Sequence, residues 1–220
     1  IDGKLRQVLM QAPKNGFFYV IDRNTGELIS AVPFVKLTWA THVDRASGRP
    51  VEAPGVRFDQ GRPARIAPTA LGAHNWMSMA WSARTGLAYI PAAEFVVDYS
   101  DIERPWQPTT DRTVDGGVNI AGGPLMGMSA ATGRLLAWSP VTQKPVWIVE
   151  HPTYLNGGIL ATAGDLVFQG SIDGLFKAYA ADTGKLVWEF DARAPILATP
   201  ISYGAGGRQQ VTILTGLGMG

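Results

Sequence analysis

Cysteine is absent from the sequence, which excludes disulfides, thiolate metal sites, thiol nucleophiles and a C-x-x-C-H haem attachment within these 220 residues. Charge is scarce: 17% of residues are Asp, Glu, Lys or Arg, and 19 basic against 18 acidic side chains leave a formal net charge of +1. No local basic patch compensates, so neither nucleic acid nor an anionic membrane surface is an expected partner. No run approaches the roughly 18 apolar residues that a membrane-spanning helix needs. The opening Ile1-Asp2-Gly3-Lys4 offers neither an initiator methionine nor a signal peptide, and the expectation is a stretch from the interior of a longer chain. Helical periodicity is missing too. With 26 Gly and 15 Pro, structure breakers recur too often for long helices to fit between them.

What remains is short, β-prone and regularly interrupted. Phe17-Phe18-Tyr19-Val20-Ile21, Leu87-Ala88-Tyr89-Ile90, Leu166-Val167-Phe168 and Val211-Thr212-Ile213-Leu214 are apolar segments rich in β-branched and aromatic residues. Asn15-Gly16, Asp115-Gly116, Asn156-Gly157 and Asp173-Gly174 supply turn signals, and the combination predicts antiparallel all-β structure. A repeat organises it. The stretch from Ala178 to Trp188 is the clearest copy, and Ala137 to Trp147 matches it in register with Gln143 in place of glycine. Tyr19 to Ile29 is a third copy, ending before Ser30 where the tryptophan would fall, and Ala80 to Ile90 is a looser fourth. The shared Thr25, Thr85, Thr142 and Thr183 lie 60, 57 and 41 residues apart.

Each copy predicts a strand, a tight turn through Thr-Gly and a returning strand whose terminal tryptophan is sized to dock between sheets. About 40 to 45 residues per four-stranded unit is the spacing of a β-propeller blade. Four copies predict about four blades, with insertions at about 41–74 and 94–127 placed to build a functional face. A pair of β-sandwiches is the competing architecture, and the regular copies favour the propeller. Blades running from one end of the sequence to the other predict an incomplete ring. Its open faces call for further blades, from the same longer chain or from partner chains.

The copy Ala178-Tyr179-Ala180-Ala181-Asp182-Thr183-Gly184-Lys185-Leu186-Val187-Trp188 resembles the tryptophan-docking motif of pyrroloquinoline quinone-dependent alcohol dehydrogenases. Val8 to Arg23 is similar to the segment that carries a cofactor-contacting lysine in that family, and His74-Asn75-Trp76 resembles its Asn-Trp pair beside the quinone. Asn156-Gly157-Gly158 through Gly170-Ser171-Ile172-Asp173-Gly174 resembles the loop and strand pair of a late blade. The resemblance implies that residues 1–220 are C-terminal blades of an eight-bladed propeller. It implies oxidation of small alcohols to aldehydes or ketones by bound pyrroloquinoline quinone, with electrons passed to a cytochrome c. It also implies a calcium or lanthanide ion, haem c in a separate domain, and a periplasmic location. The family's catalytic Asp and metal ligands belong to segments that would precede Ile1, so the resemblance assigns no catalytic residue and no metal ligand here.

Three cofactor-binding residues are implied by the resemblance. Lys14 would place an ammonium against the anion that forms on a quinone oxygen during reduction. Asn75 and Trp76 would add an amide and a flat apolar wall beside the quinone carboxylates. The alternative is a non-catalytic propeller that binds other proteins, because such scaffolds share the docking motif. His42, His74 and His151 have no ligand spacing, so structural or surface roles are expected, with His74 adjacent to Asn75 and placed to orient it. Asp98, Asp101 and Glu103 read as a solvated acidic loop, Asp22-Arg23-Asn24-Thr25-Gly26 as a turn without the full ligand set of a calcium loop, and Gly204-Ala205-Gly206-Gly207 as a hairpin turn.

Overall fold

Alternation of apolar residues at a period of two builds the molecule, and every regular element among the described residues is a β-strand. The computed structural model describes residues 1, 3–58, 62–101, 118–120 and 131–216. The first sheet has the order β1 (Val8–Gln11), β2 (Phe17–Asp22), β3 (Leu28–Pro33). The second runs β7 (Ala80–Ser82), β8 (Leu87–Glu94), β11 (Thr132–Ser139), β12 (Lys144–His151). The third runs β13 (Asn156–Ala161), β14 (Leu166–Ser171), β15 (Leu175–Ala180), β16 (Leu186–Asp191), and a hairpin of β17 (Ile201–Ala205) and β18 (Arg208–Thr212) comes after it. All pairings between these strands are antiparallel, and an isolated bridge between Ile196 and Gly216 is parallel. Two four-stranded blades are thus flanked by a three-stranded and a two-stranded unit, and the all-β propeller reading holds.

The insertion after the first sheet forms the hairpin of β4 (Ala40–Val43) with β5 (Pro50–Glu52). Its last strand, β6 (Ala64–Ile66), pairs with β9 (Val97–Asp101), which pairs with β10 (Val118–Ile120). Most of the second insertion, Asp115-Gly116 and Glu103 with it, lies outside the described residues.

Strand β8 explains how the sheets stack. It is buried from Leu87 to Ala93, because both of its faces are covered. Ala88, Ile90 and Ala92 face the first sheet and join Phe18, Val20 and Ile29 in one core. Leu87 and Tyr89 point the other way, into a second core with Ile159, Val167 and Tyr179 of the third sheet. Its neighbour β11 splits identically, with Leu136 and Trp138 on one side and Leu135 and Ala137 on the other. A one-residue slip of either strand would exchange the two cores.

The Thr-Gly turns form as the sequence predicts. The Asp22 carboxylate accepts the amides of Asn24 at 2.9 Å and Thr25 at 3.1 Å. Those two bonds hold its carboxyl below the usual range. Gly26, Gly86 and Gly184 take φ of 76°, 68° and 71°, and Gln143 holds the same left-handed place at 54°. The copies are not one per blade, however. Those at Thr85 and Thr142 share the second sheet, as the β7–β8 and β11–β12 hairpins. The motif marks a tight hairpin, and a four-stranded blade has more than one.

Asn156-Gly157 also departs from its expected turn. Both residues lie in β13, where Asn156 pairs with Ser171. Glycine is needed here for close approach: a Cβ on Gly158 would collide with Thr199 Oγ1, and one on Gly157 would come within 3.0 Å of the Ala198 carbonyl oxygen. The Gly206-Gly207 turn between β17 and β18 forms as expected, with φ of 57° and 74°.

Candidate functional site

Two loops that are far apart in sequence carry the three expected cofactor residues. Lys14 sits in the turn between β1 and β2, set by the Gly16 amide donating to the Pro13 carbonyl at 3.3 Å. Asn75 and Trp76 sit in the connection that leads into β7. The two loops are laced together by backbone contacts. The Ala73 amide donates to the Lys14 carbonyl at 3.0 Å, and the Ala93 amide of β8 donates to the Ala73 carbonyl at 2.7 Å. Gly72, at φ 85°, lies flat on the lysine, and a Cβ there would meet Lys14 Cγ at 2.5 Å. Chain separation of some sixty residues is closed by stacking of the first two sheets.

The side chains that these two loops present are chemically distinct. The Lys14 ammonium is exposed, reaches the Ala70 carbonyl only at 3.5 Å, and meets no carboxylate among the described residues. Asn75 is half-buried and its Nδ2 donates to the Leu71 carbonyl at 3.1 Å, which fixes the amide plane. Trp76 is 62% exposed and stacks on no other ring among the described residues, although it comes just after a buried run from Gly72 to His74. A large indole exposed on an anchored turn is a flat apolar surface left open to solvent. The two loops thus carry a cation with no carboxylate partner among the described residues, an oriented amide and an open aromatic ring.

The connection is anchored at both ends. On one side the buried His74 sits between two carbonyls: Nδ1 faces that of Ala12, and Nε2 faces that of Met77 at 2.5 Å. On the other side the Ile159 amide donates to the Ser78 carbonyl at 3.0 Å, and Ser78 Oγ lies 2.9 Å from Thr199 Oγ1. Residues 72–79 therefore touch the first sheet, the third sheet and the loop after β16. Sequence reasoning placed His74 beside Asn75; its grip on Ala12 has no sequence signal, because it depends on how the sheets stack.

Other titratable residues lie elsewhere. His151 is buried and meets Gln169 Oε1 at 3.0 Å across the boundary between the second and third sheets, and burial pushes its pKa down. His42 is exposed on β4 beside Thr41. Asp98 pairs with Arg65 at 3.6 Å, while Glu103 falls outside the described residues. Asn156 is buried, donating from Nδ2 to the Thr153 carbonyl at 2.9 Å. Among the described residues no three His, Asp or Glu side chains gather to hold a metal ion. A cleft of about 260 Å³ between Lys36, Arg65, Pro68, Glu94 and Phe95 includes none of the three cofactor candidates.

Comparison with known proteins agrees with the fold and the motif. Residues 130–211 match the family model described as PQQ, the glucose/ethanol/alcohol dehydrogenase β-propeller domain. The chain is 49% identical over 218 residues to quinohemoprotein alcohol dehydrogenase ADH IIB of Pseudomonas putida, covering 99% of this chain and 31% of that protein. Its fold matches the solved structure of ADHIIG from Pseudomonas putida HK5 with a TM-score of 0.91 and 42% identity, over 99% of this chain and 33% of that one. A europium-containing methanol dehydrogenase matches with a TM-score of 0.82 and 31% identity, over 97% of this chain and 37% of that one. The chain spans about a third of the length of the relatives it matches. The resemblance to pyrroloquinoline quinone dehydrogenases read from the repeat is borne out.

Proposed function

We infer, from a chain that aligns over almost its whole length with quinohemoprotein alcohol dehydrogenases, that it supplies one wall of the quinone site in an alcohol-oxidising propeller. The observation that carries this reading is the lacing of the Lys14 turn to the Asn75-Trp76 turn through Gly72 and Ala73. Pyrroloquinoline quinone is a flat ring system bearing carboxylates and two adjacent carbonyls, and when bound it accepts two electrons from an alcohol. Lys14 offers a cation to an oxygen that gains negative charge on reduction, an interaction stronger in the reduced than in the oxidised form. Asn75, its amide plane fixed by Leu71, donates or accepts at the ring's polar edge. Trp76 covers the ring with its exposed indole and keeps water from that side.

The base that takes the alcohol proton and the ligands for calcium or a lanthanide belong, in this reading, to blades outside these residues. The ring that contains them closes on the open face of β16. That face and the adjoining hairpin expose Leu186, Val187, Trp188, Phe190, Ile201 and Tyr203, an apolar strip that a further blade of the same propeller would bury. Electrons leave for a cytochrome c or for haem c in a separate domain, a reading supported by likeness to quinohemoprotein and cytochrome c-linked relatives, and the periplasm is the compartment proposed with it.

The test is alcohol-dependent dye reduction by the purified protein with its full set of propeller blades, loaded with pyrroloquinoline quinone and calcium. Quinone-dependent turnover is expected, and Lys14→Ala lowers kcat at least 10-fold while the thermal midpoint stays put. A folded, metal-loaded protein without quinone-dependent turnover would leave the scaffold reading in its place.

A further inference from the structure

His74 is one of few buried polar side chains in this structure, at 5% exposure, and it is the one that connects the two loops of the candidate site. Its ring lies between the Ala12 carbonyl, two residues before Lys14, and the Met77 carbonyl, one residue after Trp76. Carbonyl oxygens only accept, so the ring is the donor on the side that carries its proton. The Lys14 side chain also reaches across, to the Ala70 carbonyl at 3.5 Å, but from an exposed position. The neighbouring backbone bond, Ala73 amide to Lys14 carbonyl at 3.0 Å, runs parallel to the histidine tie. Removing the ring would leave the carbonyl that accepts its proton without that partner and open a cavity where the ring packs between the two loops.

We propose that His74 is a positioning residue, a buried clasp that sets the separation of Lys14 from Asn75 and Trp76 and thereby the width of the surface that receives a planar anionic ligand. The ligand rests on the quinone reading above; the clasp does not. Its effect on binding is one of preorganisation: with the clasp in place both loops are already spaced for the ligand, and without it the ordering cost is met at each binding event.

Two readouts keep these claims separate. The first needs no ligand: amide hydrogen exchange in the purified protein, wild type against His74→Ala and His74→Gln. The Ala73 amide is expected to exchange at least 10-fold faster in His74→Ala, with β14 amides such as Val167 unchanged. His74→Gln, which keeps a donor, should fall between. The second is the affinity for pyrroloquinoline quinone with calcium present, measured by equilibrium dialysis. His74→Ala should bind at least 10-fold more weakly, and free imidazole should restore part of the loss. Unchanged Ala73 exchange in both variants would overturn the clasp whether or not quinone binds. Faster Ala73 exchange with unchanged quinone affinity would overturn its role in positioning. If wild type binds no quinone while Ala73 exchange responds as stated, the quinone reading fails and the clasp stands.

Discussion

Trp147 and Trp188 end two consecutive copies of one motif, in β12 and β16, and their surroundings are opposite. Trp147 is 9% exposed: its Nε1 donates to the Ala181 carbonyl at 3.0 Å, and its ring lies over Gly184 in the turn of the next sheet. The same Ala181 carbonyl accepts from Tyr89 Oη at 2.9 Å, and the two rings are 5.7 Å apart. Trp188 is 47% exposed and stacks on Phe190 of its own strand at 6.2 Å. The side chains are equal, so the difference comes from the neighbour that each sheet meets next along the chain. After β12 comes a complete blade with its Thr-Gly turn; after β16 comes an exposed two-stranded hairpin. Docking is a property of the tryptophan and its receiving turn together. Gly26 and Gly86, with nothing within 4 Å of where a Cβ would lie, are receiving turns that no tryptophan among the described residues fills.

The widest contrast is expected from truncation. Trp147→Ala should cost about 3–5 kcal/mol, the range for a large buried aromatic, and Trp188→Ala under about 1 kcal/mol in these 220 residues. Urea denaturation measures both, and equal losses would break the comparison. A protein in which a further blade covers β16 should bring the Trp188→Ala loss up toward that of Trp147→Ala.

The receiving turns should separate next. Gly184→Ala combines left-handed backbone strain with a Cβ 2.6 Å from the Trp147 ring, and about 2 kcal/mol or more is expected. Gly86→Ala carries the strain alone, at about 1 kcal/mol. Equal costs by thermal denaturation would mean that Trp147 yields freely to the added methyl group.

The boundary that Trp147 closes should also respond to acid. His151, buried there against Gln169, has its pKa lowered by burial, so the folded state favours the neutral ring. Its contribution is complete above about pH 6.5, the unperturbed value, and is lost as pH falls from there through the lowered folded pKa. Urea midpoints between pH 7.5 and 5 should therefore decline, and His151→Gln should flatten the decline. The smallest change expected is a gain. Gln143 holds φ 54° where the other copies have glycine, and its Oε1 is buried without a partner. Gln143→Gly should stabilise by up to about 1 kcal/mol, offset by the lost bond from Nε2 to the Pro140 carbonyl at 2.8 Å.

Much of this was legible in the sequence, because the signals were local. Strand alternation, the Asp22 turn and the Gly206-Gly207 hairpin depend on near neighbours along the chain, and all three form as expected. Assigning copies to blades was not local. The β7–β8 and β11–β12 hairpins carry the same turn chemistry, and only pairing through β8 and β11 shows that they share a sheet. Asn156-Gly157 has turn composition, yet its glycine serves the approach of Ala198 and Ile196 from a distant loop. At the candidate site, Lys14, Asn75 and Trp76 stood out through resemblance to a known motif. The contacts that bring them together, through Gly72, Ala73 and His74, arise only when the first two sheets stack.

The central claim is that the Lys14 and Asn75-Trp76 loops form one face for a planar quinone anion. Equilibrium dialysis of pyrroloquinoline quinone against wild type, Lys14→Ala, Trp76→Ala and the distant control Lys185→Ala tests it most directly. Saturable binding that weakens at least 10-fold in both Lys14→Ala and Trp76→Ala, and not in Lys185→Ala, is the expected result. Binding that is indifferent to Lys14 and Trp76 would contradict it.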